Sequence, residues 1–180
     1  MGKERTLKEV GVGEVFKVAG IEFIKFYDEG GNTVAVAKDI LYNAEFGNNN
    51  NFAKSKVLKG IKMKVLSNIK KEVGEDNIVE HEVDLLSLDG SDKWGKVKTK
   101  ISLPTFDFYR KNVKIFDKYK GNKWWWLSTP DTTAEHYNDN WVTCVSPNGD
   151  VCISGGSYYY YGGVRPFLNF VSSIVVSCEE

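Results

Sequence analysis

The stretch Trp124-Trp125-Trp126-Leu127-Ser128-Thr129-Pro130 sets three tryptophans in succession before a leucine, a serine, a threonine and a proline. In an extended strand, successive side chains point to opposite faces, so Trp124 and Trp126 share one side and Trp125 takes the other. A tryptophan buries up to roughly 250 Å² and dominates the packing around it. At least one of the three is therefore expected inside, and the stretch reads as a core-and-hinge element that fastens a neighbouring loop. The same alternation divides the later run of four tyrosines: Tyr158 and Tyr160 fall on one face, Tyr159 and Tyr161 on the other.

Downstream, Trp141–Val145 is β-prone, Pro147-Asn148-Gly149-Asp150 is turn chemistry, and Val151-Cys152-Ile153 returns, which predicts a hairpin. Gly155-Gly156 and Gly162-Gly163 punctuate the tyrosine run, and VRPFLNFVSSIVVS closes the chain as one or two further strands. Arg165 sits between Val164 and Pro166 in an apolar setting. An arginine there needs a carboxylate or carbonyls for its five donors, so a loop-holding clamp is favoured over ligand contact.

Upstream, EVFKVAGIEFIKF and TVAVAKDIL read as strands joined at Gly30-Gly31-Asn32, since both glycines accept positive φ. EFGNNNNF is an ordered polar loop. From Phe52 to about Val73, Leu58, Ile61, Val65 and Ile69 recur at helical spacing among lysines, giving one amphipathic helix with a solvated basic face. Asn50 or Asn51 is the expected cap and Gly74 the stop. HEVDLLSL is a short strand, LDGSDKWGKVKTK a loop holding Trp94, and SLPTFDFYRKN a second short helix with Pro104 in its first turn. No linker or repeat interrupts these pieces. The expected fold is one α+β domain, residues 1–180, with short antiparallel sheets, two helices and a loop-rich C-terminal third. The hairpin and helix occupy about 12–75 and the aromatic region about 120–178.

Lys+Arg and Asp+Glu both number 24, so charge gives no reason to expect nucleic acid. No apolar run approaches a membrane span, and the charged start MGKERTLKEV lacks a signal-peptide centre. Cys144 and Cys152 flank the hairpin turn and can face one another across it. Three cysteines without metal-ligand spacing nevertheless read as reduced thiols. No metal or cofactor is expected.

WWWLSTP, a glycine-turn hairpin and GVRPFLNF together resemble an uncharacterised domain family of Gram-positive bacteria and their phages. Its hallmark is Trp-Trp-Leu-Arg-Ser-Pro, a variable loop, a hairpin, then Gly-Val-Arg-Pro-Ala-Leu. The matching elements are Trp125–Pro130 and Gly163–Leu168, so Trp125, Trp126, Pro130, Gly163, Arg165 and Pro166 are the structural motif residues. TVAVAKDIL, NNNNFAKSKVLKGI, VDLLSLDG and SLPTFDFYRKN are similar to pieces of phage-type members. Ser128, Thr129 and Phe167 depart from the pattern. The resemblance implies a C-type-lectin-like scaffold that displays loops, and a phage or prophage setting with the chain on the virion.

Three functions follow as expectations. The first is non-enzymatic recognition or decoration, with DTTAEHYNDN displayed. Its ligand-binding residues are then Glu135, Tyr137, Asn138, Asp139, Asn140 and Trp141, with Tyr158 and Tyr160, and the ligand is a host cell-surface glycan. Aromatic faces stack on sugar C–H surfaces, and the amides and carboxylates serve hydroxyls; Tyr, Asn, Ser and Gly are also favoured in binding loops. The second is a purely structural virion protein attached to capsid or tail proteins or to its own copies. The third, an enzyme of the formylglycine-generating kind, needs reactive cysteines, whereas Cys144 and Cys152 sit in apolar β-prone runs. No catalytic residue is assigned. The triplets of calcium-dependent lectins are absent from the sequence.

Overall fold

The computed structural model describes residues 3–154 and 160–178; the expected roles of Tyr158 and Tyr159 lie outside them. The strands are β1 (Lys3–Thr6), β2 (Val15–Val18), β3 (Ile21–Glu29), β4 (Asn32–Ala37), β5 (Tyr42–Glu45), β6 (Ile78–Val79) and β7 (His81–Asp84). They continue as β8 (Lys96–Thr99), β9 (Trp125–Pro130), β10 (Val142–Val145), β11 (Val151–Ser154), β12 (Tyr161–Val164), β13 (Phe167–Val171) and β14 (Val175–Cys178). A seven-stranded sheet has the order β1-β14-β2-β3-β4-β13-β6, a five-stranded one β11-β10-β9-β12-β5, and β7 pairs with β8. All pairings are antiparallel except β9 with β12, so the α+β class holds.

β9 is buried along its whole length. Trp126 enters one apolar cluster with Phe46, Phe52, Ile61 and Phe170, while Trp125 and Leu127 enter another with Phe26, Tyr109 and Phe116. Trp124 lies edge-on to Trp126, with ring centroids 4.7 Å apart, as period-two alternation requires. β9 is thus a wall between two half-cores, which is why it carries aromatic bulk on both faces. β12 can lie against this wall because a Cβ at Gly162 would stand 2.5 Å from the rings of Trp124 and Trp126.

The long amphipathic helix is present as α1 (Lys56–Ile61), a π-helical segment (Lys62–Leu66) and α2 (Ser67–Val73), ended by Gly74 at φ 85°. Its cap differs from expectation. The Ser55 side chain accepts from the Leu58 N–H, Asn51 caps the preceding 3-10 turn, and Asn50 is used elsewhere. The second helix, α3 (Phe106–Lys111), is capped by Thr105, so Pro104 precedes the cap instead of occupying the first turn. A short α4 (Val113–Phe116) follows it. The segment after Trp94, expected as loop, supplies β8, because β7 offers it an edge to pair with.

The hairpin register sets Cys144 directly opposite Cys152 with Cα atoms 5.0 Å apart, and the two are joined as a disulfide. That corrects the expectation of reduced thiols. Spacing alone reports no register, whereas this separation falls within bridging range. Cys178 is buried and unbridged. Among the described residues no helix is long and apolar enough to cross a membrane.

Candidate functional site

The segment joining β9 to β10 is the loop expected to be displayed. Its two ends are tied together: the Asp131 N–H donates to the Trp141 carbonyl at 3.0 Å. Within it, the N–H groups of His136 and Tyr137 both donate to the Thr133 carbonyl, and Thr133 is fully buried. Ala134, Glu135, His136 and Tyr137 form the exposed apex.

Asn50 fastens this loop from beneath. It is fully buried. Its Nδ2 donates to the carbonyls of Thr132 at 2.6 Å and Trp141 at 2.9 Å, and its Oδ1 accepts from Trp94 Nε1 at 2.9 Å. Its backbone N–H donates to the Asp139 carbonyl at 2.6 Å. One amide side chain therefore supplies the Thr132 carbonyl with its donor and adds a second to the Trp141 carbonyl, which also accepts from the Asp131 N–H.

The loop after β7 adds a second support. The Leu88 N–H donates to the Pro130 carbonyl, and the Asp89 N–H to that of Asp131. Ser91 Oγ donates to Glu135 Oε2 at 3.1 Å, and His136 Nδ1 lies 2.7 Å from Asp89 Oδ2. Burial pushes the Asp89 carboxyl upward, but its bonds with Ser87 and His136 prevail and hold it below the usual carboxylate range. Asp131 is raised, by burial and by the nearby Asp89 charge.

These bonds decide which groups face outward. Glu135 is engaged with Ser91. Asn138 Oδ1 accepts from the Asn140 N–H and its carbonyl from Thr132 Oγ1, so Asn138 shapes the turn. Asp139 and Asn140 are half-buried. What the loop presents most openly is aromatic. Tyr137 is 70% exposed and Trp141 38%, and their rings meet edge to face with centroids 5.9 Å apart. Leu86 and Leu88 are exposed on the adjoining loop.

Tyr160, expected beside Trp141, is exposed but placed elsewhere. Gly163 of β12 lies level with Trp125 at the start of β9, and Tyr161 enters β12 before it. Trp141 adjoins the Pro130 end of β9 through the Val142–Pro130 pair. Tyr160 and Trp141 thus sit toward opposite ends of the sheet, and among the described residues the aromatic face is Tyr137 with Trp141. Of the motif residues, Trp125, Trp126, Pro130, Gly163 and Arg165 are buried, and the Pro166 carbonyl accepts from the Ala37 N–H.

A serine–histidine contact also emerges that the sequence did not suggest. Ser102 Oγ lies 2.8 Å from His81 Nε2. Ser102 is 1% exposed, and among the described residues no carboxylate reaches the other ring nitrogen to orient it. Burial pushes His81 down to about 4, opposed in part by a backbone bond with Val79. The imidazole is therefore neutral in the fold and more easily protonated when unfolded, near pH 6.5. The stability tied to the neutral ring is complete above about pH 6.5 and is lost as pH falls toward 4, in all on the order of 3 kcal/mol. Urea denaturation at pH 7 and pH 4.5 should show wild type losing more stability than His81→Gln, the carboxylates common to both cancelling. Equal losses would contradict the assignment.

Among the described residues, no group of three or more His, Cys, Asp or Glu side chains is gathered as a metal site would need. No curated protein and no solved structure matches the chain. The family described as Domain of unknown function (DUF6273) matches residues 42–172, from the start of β5 to just past β13. That span takes in the whole five-stranded sheet, Asn50, the displayed loop and Arg165, and most of the chain. The chain belongs to the DUF6273 family.

Proposed function

We propose that this chain is a non-enzymatic recognition or decoration module of a phage or prophage particle, and that the face formed by Tyr137 and Trp141 contacts a host cell-surface glycan. The observation that carries the reading is an exposed aromatic pair on a loop whose backbone is fixed by buried Asn50. Aromatic rings present large contact area at low entropic cost, and a pre-ordered loop loses little freedom on binding. We extend this to the scaffold, for which the family resemblance implies a C-type-lectin-like fold; short strands carrying a loop region are compatible with it.

The experiment pairs a glycan array with a cell-wall pull-down, for wild type and Trp141→Ala. Trp141 stands outside the β10 pairing, so the variant should keep the wild-type melting temperature. Binding to cell-wall glycan should fall at least tenfold. Mass spectrometry of purified virions, read alongside, should find both proteins on the particle. Loss of the variant from particles with no glycan bound by wild type would favour attachment to capsid or tail proteins instead.

A further inference from the structure

We propose a second binding site, for a small molecule bearing a carboxylate or phosphate group, in the cavity that Arg165 lines at the Trp125 end of β9. The cavity holds about 370 Å³, within the range of small-molecule pockets, and is bounded by the chain from Lys38 to Asn43, by Tyr119, by the chain from Gly121 to Lys123, and by Trp125 and Arg165.

Arg165 is only 4% exposed. Its Nε donates to the Ala37 carbonyl at 3.0 Å, which is what a clamp would do. That bond uses one of five donors. Nη2 is buried with no hydrogen-bond partner, and among the described residues no carboxylate forms an ion pair with the guanidinium. Its nearest compensation is aromatic, with Cζ 4.8 Å from the Trp125 ring centroid and 5.3 Å from that of Phe116. Burial lowers the group to about 10, which leaves it charged at neutral pH. A buried cation without a counterion costs several kcal/mol, and a structural clamp would gain by having a carboxylate beside it.

The cavity wall supplies what an oxyanion needs. Its charged residues are Lys38, Lys123, Arg165 and Asp39; Lys38 is held by Glu22 at 2.7 Å, which leaves Lys123 and Arg165 as the cations that face Asp39 alone. Asp39 is exposed and acts on Arg165 only at a distance. Lys123 is exposed at the rim, and among the described residues no acidic side chain pairs with it. A planar guanidinium offers two parallel N–H groups to a carboxylate or phosphate, and Lys123 adds a point charge at the mouth. The site is independent of the glycan reading, since the displayed loop joins the Pro130 end of β9.

The chain has only three arginines, Arg5, Arg110 and Arg165, so its side-chain Nε–H signals are few enough to resolve by NMR. Protein labelled with 15N-arginine, its signals assigned with Arg5→Lys and Arg110→Lys, would be titrated with acetate and with inorganic phosphate against chloride at constant ionic strength. The Arg165 signal should move saturably with at least one of the two while Arg5 and Arg110 stay in place. The two arms tell which group the site takes. Lys123→Gln, an exposed change, should raise the half-saturating concentration about tenfold. An Arg165 signal unmoved by both anions, or moving in step with the other two arginines, would overturn the proposal, as would an unchanged titration in Lys123→Gln.

Discussion

Replacing Trp126 with alanine is expected to cost about 3–5 kcal/mol of stability, a fall of roughly 10–15 °C in melting temperature. Trp126 is fully buried in the centre of the five-stranded sheet. It lies edge-on to Phe46 at 5.5 Å and to Trp124 at 4.7 Å. Its Nε1 donates to the Ala44 carbonyl at 2.8 Å, which links the β9 wall to β5 across intervening β12. Truncation would leave a large apolar cavity and remove the indole hydrogen bond together. Trp126→Phe separates the two effects. It retains most of the volume and should cost only about 1–2 kcal/mol, for the lost hydrogen bond and the missing ring. Urea denaturation of both variants checks the order.

Asn50→Ala is the second large effect, expected at about 3 kcal/mol. Three side-chain hydrogen bonds disappear, each worth about 1 kcal/mol; the Thr132 carbonyl and the Trp94 indole N–H lose their partner, while the Trp141 carbonyl keeps the Asp131 N–H. Asn50→Asp should be at least as damaging despite its near-identical shape. A carboxylate would aim its charge at two carbonyl oxygens in a fully buried position. Denaturation midpoints of the two variants test this, and an Asp variant close to wild type would contradict the hydrogen-bond assignment. Both should weaken any ligand binding by the loop while leaving Tyr137 and Trp141 chemically unchanged.

What was legible in the sequence depended on short-range pattern. Strand periodicity alone divides Trp124 and Trp126 from Trp125, and the structure sends them into separate cores. The Gly30-Gly31 turn, the Pro147–Asp150 hairpin and the 56–73 helix follow from local chemistry in the same way. What was not legible is long-range. Asn50 stands in a run of asparagines that looks like capping material, and its partners lie 44 to 91 residues away. Asp89, Ser91 and Trp94 support the loop only because β7 and β8 bring their connection under it. The separation of Tyr160 from Trp141 follows from the parallel pairing of β12 with β9, which no local signal reports. The Arg165 clamp to Ala37 was anticipated in kind, but its unpartnered Nη2 was not.

Recognition by the Tyr137–Trp141 face requires a loop held rigid before any ligand arrives. Amide hydrogen exchange measures that directly at Asn50, Asp131, His136 and Tyr137, whose N–H groups all donate within the loop or to it. These four amides should be protected to a degree comparable with β9 and β10 in wild type, and should lose protection in Asn50→Ala while β9 retains it. Exchange at the rate of a free peptide in the wild-type protein would contradict the account.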